Sequence, residues 1–253
     1  MIVFITGFLT FTYFGFKKPF REKEPGLALR FRSNLYLFLL NSAFFSLLGS
    51  ITLIALAHRL EQAGVGLFNT FKLNQVAEIL LVLVTLDFAI YLQHVLTHKV
   101  FFLWRLHRVH HTDTSFDTST ALRFHTLEIL FSLFFKALFI TVLGASAFSI
   151  IILEISVNFF SMFNHSNFSL PKHIEVLLRK ILITPDIHRI HHSVLHKEMN
   201  SNFGFSFSIW DRILGTYKTE SVNPPKIMKL GQEEFRSDQS QNLKELIIQP
   251  FKD

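Results

Sequence analysis

Residues 127–163 read LEILFSLFFKALFITVLGASAFSIIILEISVNFFSMF, 37 residues with only Glu128, Lys136 and Glu154 charged. A bilayer-crossing helix needs about 20 apolar residues, so this run is too long for one span and fits two. Gly144-Ala145-Ser146 lies near its middle and marks the turn. A helical hairpin returns the chain to the side it left, so the segments flanking it share one face of the membrane. Both flanks are rich in histidine. Upstream stand His94-x3-His98, His107-x2-His110-His111 and His125; downstream stand His165 and His188-x2-His191-His192. With an odd number of spans in residues 127–163 the two sets would be on opposite sides and could not meet.

Further apolar blocks extend the pattern. Residues 35–57 carry no charge over 23 positions, and residues 75–96 are nearly as apolar but contain Glu78, Asp87 and His94. Residues 1–16 form a shorter apolar run. They lack the basic start and small-residue cleavage site of a signal peptide, so a retained first helix is expected. The predicted fold is all-α: a polytopic membrane protein of about four transmembrane elements, near 2–16, 35–57, 75–96 and the hairpin. A histidine-rich cap covers one end. The segment 17–34 holds six basic residues against Glu22 and Glu24, which sets it on the cytoplasmic side. The 58–74 loop, with Arg59 and Lys72, then faces away, and all the histidine clusters face the cytoplasm. Three regions follow: 1–34, first helix and basic loop; 35–217, membrane catalytic domain; 218–253, a charged cytoplasmic tail containing Pro224-Pro225.

Composition removes several classes of function. With no cysteine, the chain has no disulfides, thiolate ligands, iron–sulfur clusters or thiolate-bound haem. The net charge of +6 suits anionic lipid at membrane boundaries. No zinc-finger, helix-turn-helix or RNA-binding pattern points to nucleic acid.

Spacings of three and four set side chains on one helical face, and neutral imidazole binds iron or zinc. The two His-x2-His-His triplets repeat one another, and with His94 and His98 they supply eight candidate ligands. His165, in Asn164-His165-Ser166-Asn167, is a ninth. His125 is either a ligand or a residue that closes the site through a carboxylate. His58, His173 and His196 are weaker candidates. Asp87 is about two turns from His94, too far to share its metal, and is expected to accept a hydrogen bond from a ligand histidine of another helix. Eight or nine histidines exceed what one four-coordinate zinc can use and imply two metal ions. There is no His-Glu-x-x-His for a zinc peptidase. Attack on an unactivated C–H bond in lipid calls for activated oxygen, which favours iron.

The order His-x3-His, His-x2-His-His, His-x2-His-His resembles the fatty acid hydroxylase / sterol desaturase superfamily of membrane di-iron enzymes. Other residues agree: Asp87-Phe88-x2-Tyr91-x2-His94; Asp117, Thr120, Arg123, His125 and Glu128; Phe163-x-His165-Ser166-Asn167; Pro185-x2-His188-Arg189; Asn200-x-Asn202-Phe203-Gly204; Trp210-Asp211-Arg212; Gly215-Thr216. Thr126 and Phe203 depart from the proline and tyrosine common in relatives. The resemblance covers roughly residues 35–217. It implies a membrane lipid substrate, two Fe ions, O2 as co-substrate, and Asp87, His125 and Asn200 as candidate catalytic residues. No cytochrome b5-like segment accompanies it, so a separate electron-transfer protein or reductase is expected to supply electrons. Two other classes stand beside this reading: a zinc-dependent membrane hydrolase, and a non-catalytic metal-binding membrane protein. The boxes do not separate sterol from acyl chain, carotenoid or ether lipid, nor hydroxylation from desaturation.

Overall fold

The computed structural model describes residues 2–22, 26–47 and 52–252. Among them the regular structure is helical, with only isolated bridges pairing Leu182 with Phe207 and Ser193 with Leu230. The helices are α1 (Ile2–Lys17), α2 (Leu27–Leu47), α3 (Leu53–Ala63), α4 (Leu67–Phe71), α5 (Gln75–Lys99), α6 (Phe101–His111), α7 (Thr126–Leu143), α8 (Ala147–Asn164), α9 (Lys172–Leu178), α10 (Pro185–His191), α11 (His196–Met199), α12 (Ile209–Ile213) and α13 (Leu243–Ile248).

Three of these, α5, α7 and α8, are long and apolar enough to cross a membrane, which makes the chain an integral, multi-pass membrane protein. At 1.5 Å per residue the 25 residues of α5 reach about 38 Å, longer than a bilayer core, and its last turns carry His94 and His98. Helices α7 and α8 form the hairpin read from residues 127–163. His125 and Ser146 cap their N-termini, and Gly144 ends α7 in the left-handed region at φ 68°. A side chain at Gly144 could not be accommodated, because its Cβ would stand 2.3 Å from the Val65 carbonyl oxygen. Gly66 makes the reciprocal approach, so the α3–α4 turn sits directly on the hairpin turn.

The apolar run 35–57 is not one helix. Helix α2 begins earlier, at Leu27, and ends at Leu47; α3 starts at Leu53, and residues 48–51 lie outside the described residues. Thr52 explains the new start, because its hydroxyl accepts from the Ala55 N–H as an N-cap. Helix α2 also carries Arg30 and Arg32, and α3 ends in a polar stretch including Glu61 and Gln62. Helix α1 is a shorter apolar helix of 16 residues packed on α8, where Phe11 meets Phe159 and Phe163.

The membrane core lies between α3, α5, α7 and α8, with Ala57, Val82, Leu86, Ala89, Ile140 and Ile150 fully enclosed. The cap sits at the opposite end of the hairpin from Gly144. It is built from α6, the 112–125 segment, α10 to α12 and the C-terminal residues. A buried network ties it together: Arg30 bonds Asp113 and Asp117, and Arg123 bonds the Val109 carbonyl, Thr112 and Gln241. Residues 218–252 take part in that packing. Met228 and Leu230 enclose Phe116, Leu246 packs on Leu37 and Val109, and the Gln249 side chain accepts from Thr112.

Candidate metal centre

Each histidine triplet divides between two clusters. In a helix, i+3 and i+4 lie to opposite sides of i, so two neighbouring histidines at those positions diverge by about 100° and can serve different sites. His107 and His111 of α6 join one cluster and His110 the other. At the end of α10 the sense reverses: His188 and His192 join the second cluster and His191 the first. His94 and His98 of α5 complete the first as a set of five. His165, capping α8, completes the second as a set of four. Within each set the ligand-capable atoms all lie within 4.8 Å of one another. The two sets abut, with the His111 and His192 rings stacked at 4.6 Å.

The second set is the tighter. His165 Nε2 stands 3.1 Å from His110 Nε2, 3.2 Å from His192 Nε2 and 3.0 Å from His188 Nε2. Ligands 2.0–2.1 Å from a shared ion stand about 3 Å or slightly more from one another, so this spacing fits a cation at the centre. His165 Nδ1 donates to the Ser161 carbonyl at 2.7 Å, which leaves a lone pair on Nε2. In the first set, His94 Nδ1 donates to the Phe203 carbonyl and His191 Nδ1 to the Ser201 carbonyl, both at 2.8 Å. His107 Nδ1 donates to Glu128 Oε1 at 2.5 Å. Each of these partners fixes a tautomer whose Nε2 lone pair is free for a metal. Among the described residues, His98 and His111 have no hydrogen-bond partner on either ring nitrogen, and His107 and His191 have none on Nε2. Buried nitrogens left in this way are costly, and a bound cation satisfies them. Burial holds the imidazoles neutral, as ligation requires. It pushes His165 down to about 4 and His191 to about 3. His110, His111, His188 and His192 lie well below the usual range, first through burial and then through neighbouring imidazoles.

Three sequence expectations change place. Asp87 does not reach a histidine. It accepts from the Ser206 and Phe207 backbone N–H groups and from Trp210 Nε1, at 3.0, 3.3 and 2.8 Å. It thereby anchors the 203–210 loop to α5, because its position two turns before His94 faces that loop. His125 lies outside both clusters. Its Nδ1 accepts from the Leu127 N–H as the cap of α7, and its Nε2 donates to the Ile247 carbonyl. Asn200 also lies outside them, half-buried, receiving Lys99 and donating to the His196 carbonyl. Its neighbour Asn202 is the buried one, at φ 55°, bridging Ile187 to Lys218. His58, His173 and His196 are exposed and lie apart from the clusters.

The carboxylate that does hold a clustered histidine is Glu128, which the sequence offers as a charge in the apolar run and as part of the family resemblance, with no role of its own. Its signal was an acid in the first turn of a membrane helix directly after the upstream histidines. Asp211 acts through backbone: it accepts from the Phe203 and Gly204 N–H groups and so positions the carbonyl that His94 uses. Gly204 is required there, since a Cβ would stand 2.7 Å from the Asp211 carboxylate.

His94, His107, His110, His165 and His188 line one end of a cavity of about 290 Å³. It continues from the clusters between α7 and α8, and Phe4 and Phe38 of the first two helices close its side.

The fatty acid hydroxylase family profile matches residues 79–216, a stretch that contains both clusters. Among curated proteins, the chain is 32 % identical over 149 residues to the ornithine lipid hydroxylase of Rhizobium tropici, covering 59 % of this chain and 43 % of that protein. It is 32 % identical over 146 residues to human cholesterol 25-hydroxylase, covering 57 % and 52 %. It is 30 % identical over 144 residues to human alkylglycerol monooxygenase, covering 53 % and 29 %. The match thus spans about half or less of each relative's length. No solved structure matches the chain. The family match over more than half the chain and the two histidine clusters agree: this protein belongs to the fatty acid hydroxylase family, within the fatty acid hydroxylase / sterol desaturase superfamily.

Proposed function

We propose that the chain is an oxygen-dependent membrane-lipid hydroxylase or desaturase using two iron ions, one per histidine cluster. The observation that carries this reading is the pair of adjoining all-histidine sets at the head of a membrane hairpin, opening on a cavity between its helices. His94, His98, His107, His111 and His191 hold one ion; His110, His165, His188 and His192 hold the other. Two irons so held supply O2-dependent oxidation of an unactivated C–H bond, the chemistry that the names of the hydroxylase and monooxygenase relatives describe. The protein's part is positioning. Glu128 and the carbonyls of Ser161, Ser201 and Phe203 orient imidazoles, Asp211 and Asp87 hold the loop that carries Phe203, and the burial of the clusters excludes water. Substrate enters sideways from the bilayer. The catalytic unit is residues 35–217, the cap faces the cytoplasm with α1 or α2 completing a fourth span, and electrons come from a separate donor protein.

The test is elemental analysis of purified protein followed by turnover on membrane lipid extracts with a chemical reductant under labelled O2. The expected result is close to two irons per chain and a product heavier by one labelled oxygen or lighter by two hydrogens. Zinc in the sites with activity that persists without O2 would instead make the protein a hydrolase. Metal without any lipid product would leave a binding protein.

A further inference from the structure

The polar side chains of the cavity are arranged in stripes. Glu128, Ser132 and Lys136 line it from α7, at intervals of four residues. Glu154, Asn158 and Ser161 line it from α8, ending four residues before His165. Such spacings keep each set on one helix face. The eight residues from Glu128 to Lys136 cover about 12 Å of helix. At the far end Lys136 Nζ stands 3.1 Å from Glu154 Oε1, near the middle of both membrane helices. At the metal end Gln93 also lines the cavity; it is 9 % exposed and its Oε1 has no hydrogen-bond partner among the described residues. Phe4, Phe38 and Ile90 add apolar lining from α1, α2 and α5, beside the polar Asn41 and Thr97.

A chain meant only to hold hydrocarbon has no use for this track. Charged groups inside membrane helices are costly and face protein interiors or polar cavities. A pair serving only to brace α7 against α8 could be replaced by apolar packing without loss. We propose that the Lys136–Glu154 pair recognises a neutral hydrogen-bonding group of the substrate, a hydroxyl or an amide, about 12 Å along the cavity from Glu128 and the metal end. A hydroxyl there accepts from the Lys136 ammonium and donates to the Glu154 carboxylate, bridging the two charges. The pair is neutral as a unit, so a phosphate, carboxylate or ammonium brings uncompensated charge into the span. The substrate class is therefore an amphiphile with an internal or distal neutral polar group, not a plain hydrocarbon chain. This rests on reading the cavity as the lipid site.

The test is equilibrium binding to the purified full chain in detergent, under nitrogen and without reductant. Radiolabelled hexadecane, 1-hexadecanol and hexadecanoate serve as probes. The expected result is 1-hexadecanol bound about tenfold or more tighter than hexadecane, the scale of one hydrogen bond to a charged group, with hexadecanoate weaker than the alcohol. The double variant Lys136→Met, Glu154→Met, which removes both hydrogen-bonding groups, should bind hexadecane as the wild type does and lose the preference for the alcohol. Equal binding of alcohol and hydrocarbon by the wild type, a preference for the carboxylate, or a preference for the alcohol that survives in the variant would overturn the assignment. A double variant that does not fold leaves the wild-type comparison to decide alone. Because no oxidation is involved, selective alcohol binding by a protein that proves not to oxidise lipid would count against the enzymatic reading and not against this site.

Discussion

Glu128 and Asp87 are both buried acids close to the histidine clusters, at 5 % and 3 % exposure, yet they act on different parts of the site. Glu128 reaches His107 directly across 2.5 Å, while Asp87 holds backbone and an indole. Their variants should therefore fail differently. Glu128→Gln removes the charge that sets the His107 tautomer, and metal affinity should fall by about 10- to 100-fold with folding retained. Competitive chelation against a calibrated chelator reads this, and an affinity equal to wild type would sink the role. Asp87→Asn places an amide donor against three N–H donors. It should cost about 1–3 kcal/mol of stability in detergent-solubilised denaturation while metal stoichiometry stays near that of the wild type. Metal loss matching that of Glu128→Gln would return Asp87 to the histidines. Spacing alone could not make this distinction. The sequence puts Asp87 on the His94 face of α5 but says nothing of the loop 120 residues later that arrives opposite it.

At the level of helices, the way α6 and α10 each divide their histidines makes the clusters separable. His191 serves the first set and His165 the second, although His191 lies in a triplet with two residues of the second. His165→Ala and His191→Ala should each leave about one metal per chain, and the double variant close to none, since each removes a ligand from one site only. Loss of both metals from either single variant, seen by elemental analysis, would mean that the two sites load as one unit. The hairpin was legible because apolar length and a central glycine are local signals, and so was the repetition of the triplets. The division of each triplet between two sites was not, since it depends on where a second helix sits. The break between α2 and α3 was missed for a related reason. Charge-free composition reads as one span, whereas a single hydroxyl at Thr52 suffices to start a new helix.

Over the whole molecule, the cap is closed by a segment outside the family match, which ends at residue 216. By composition residues 218–253 read as a charged cytoplasmic tail with two adjacent prolines. Their few apolar residues nevertheless go inside: Met228, Leu230 and Leu246 are each 1 % exposed or less. Their polar residues complete partners deep in the cap, where Gln241 faces Arg123 and the Ile247 carbonyl meets His125. Arg123 is fully buried, and burial lowers it from the usual arginine range to about 10 despite Asp113. Removing its Gln241 partner takes away the shorter of the two bonds made by Arg123 Nη1, leaving that group only Asn34 Oδ1 at 3.3 Å in a buried site. Each buried apolar side chain adds about 1.5–3 kcal/mol, so the segment contributes a large share of a typical domain's margin of about 5–15 kcal/mol. A chain truncated after Tyr217 should keep its membrane helices but lose cap packing, both metals and most of its thermal stability. Limited proteolysis around residues 112–125 and elemental analysis report this together. A truncated protein that holds its full metal and resists cleavage there would show that the clusters stand without the tail.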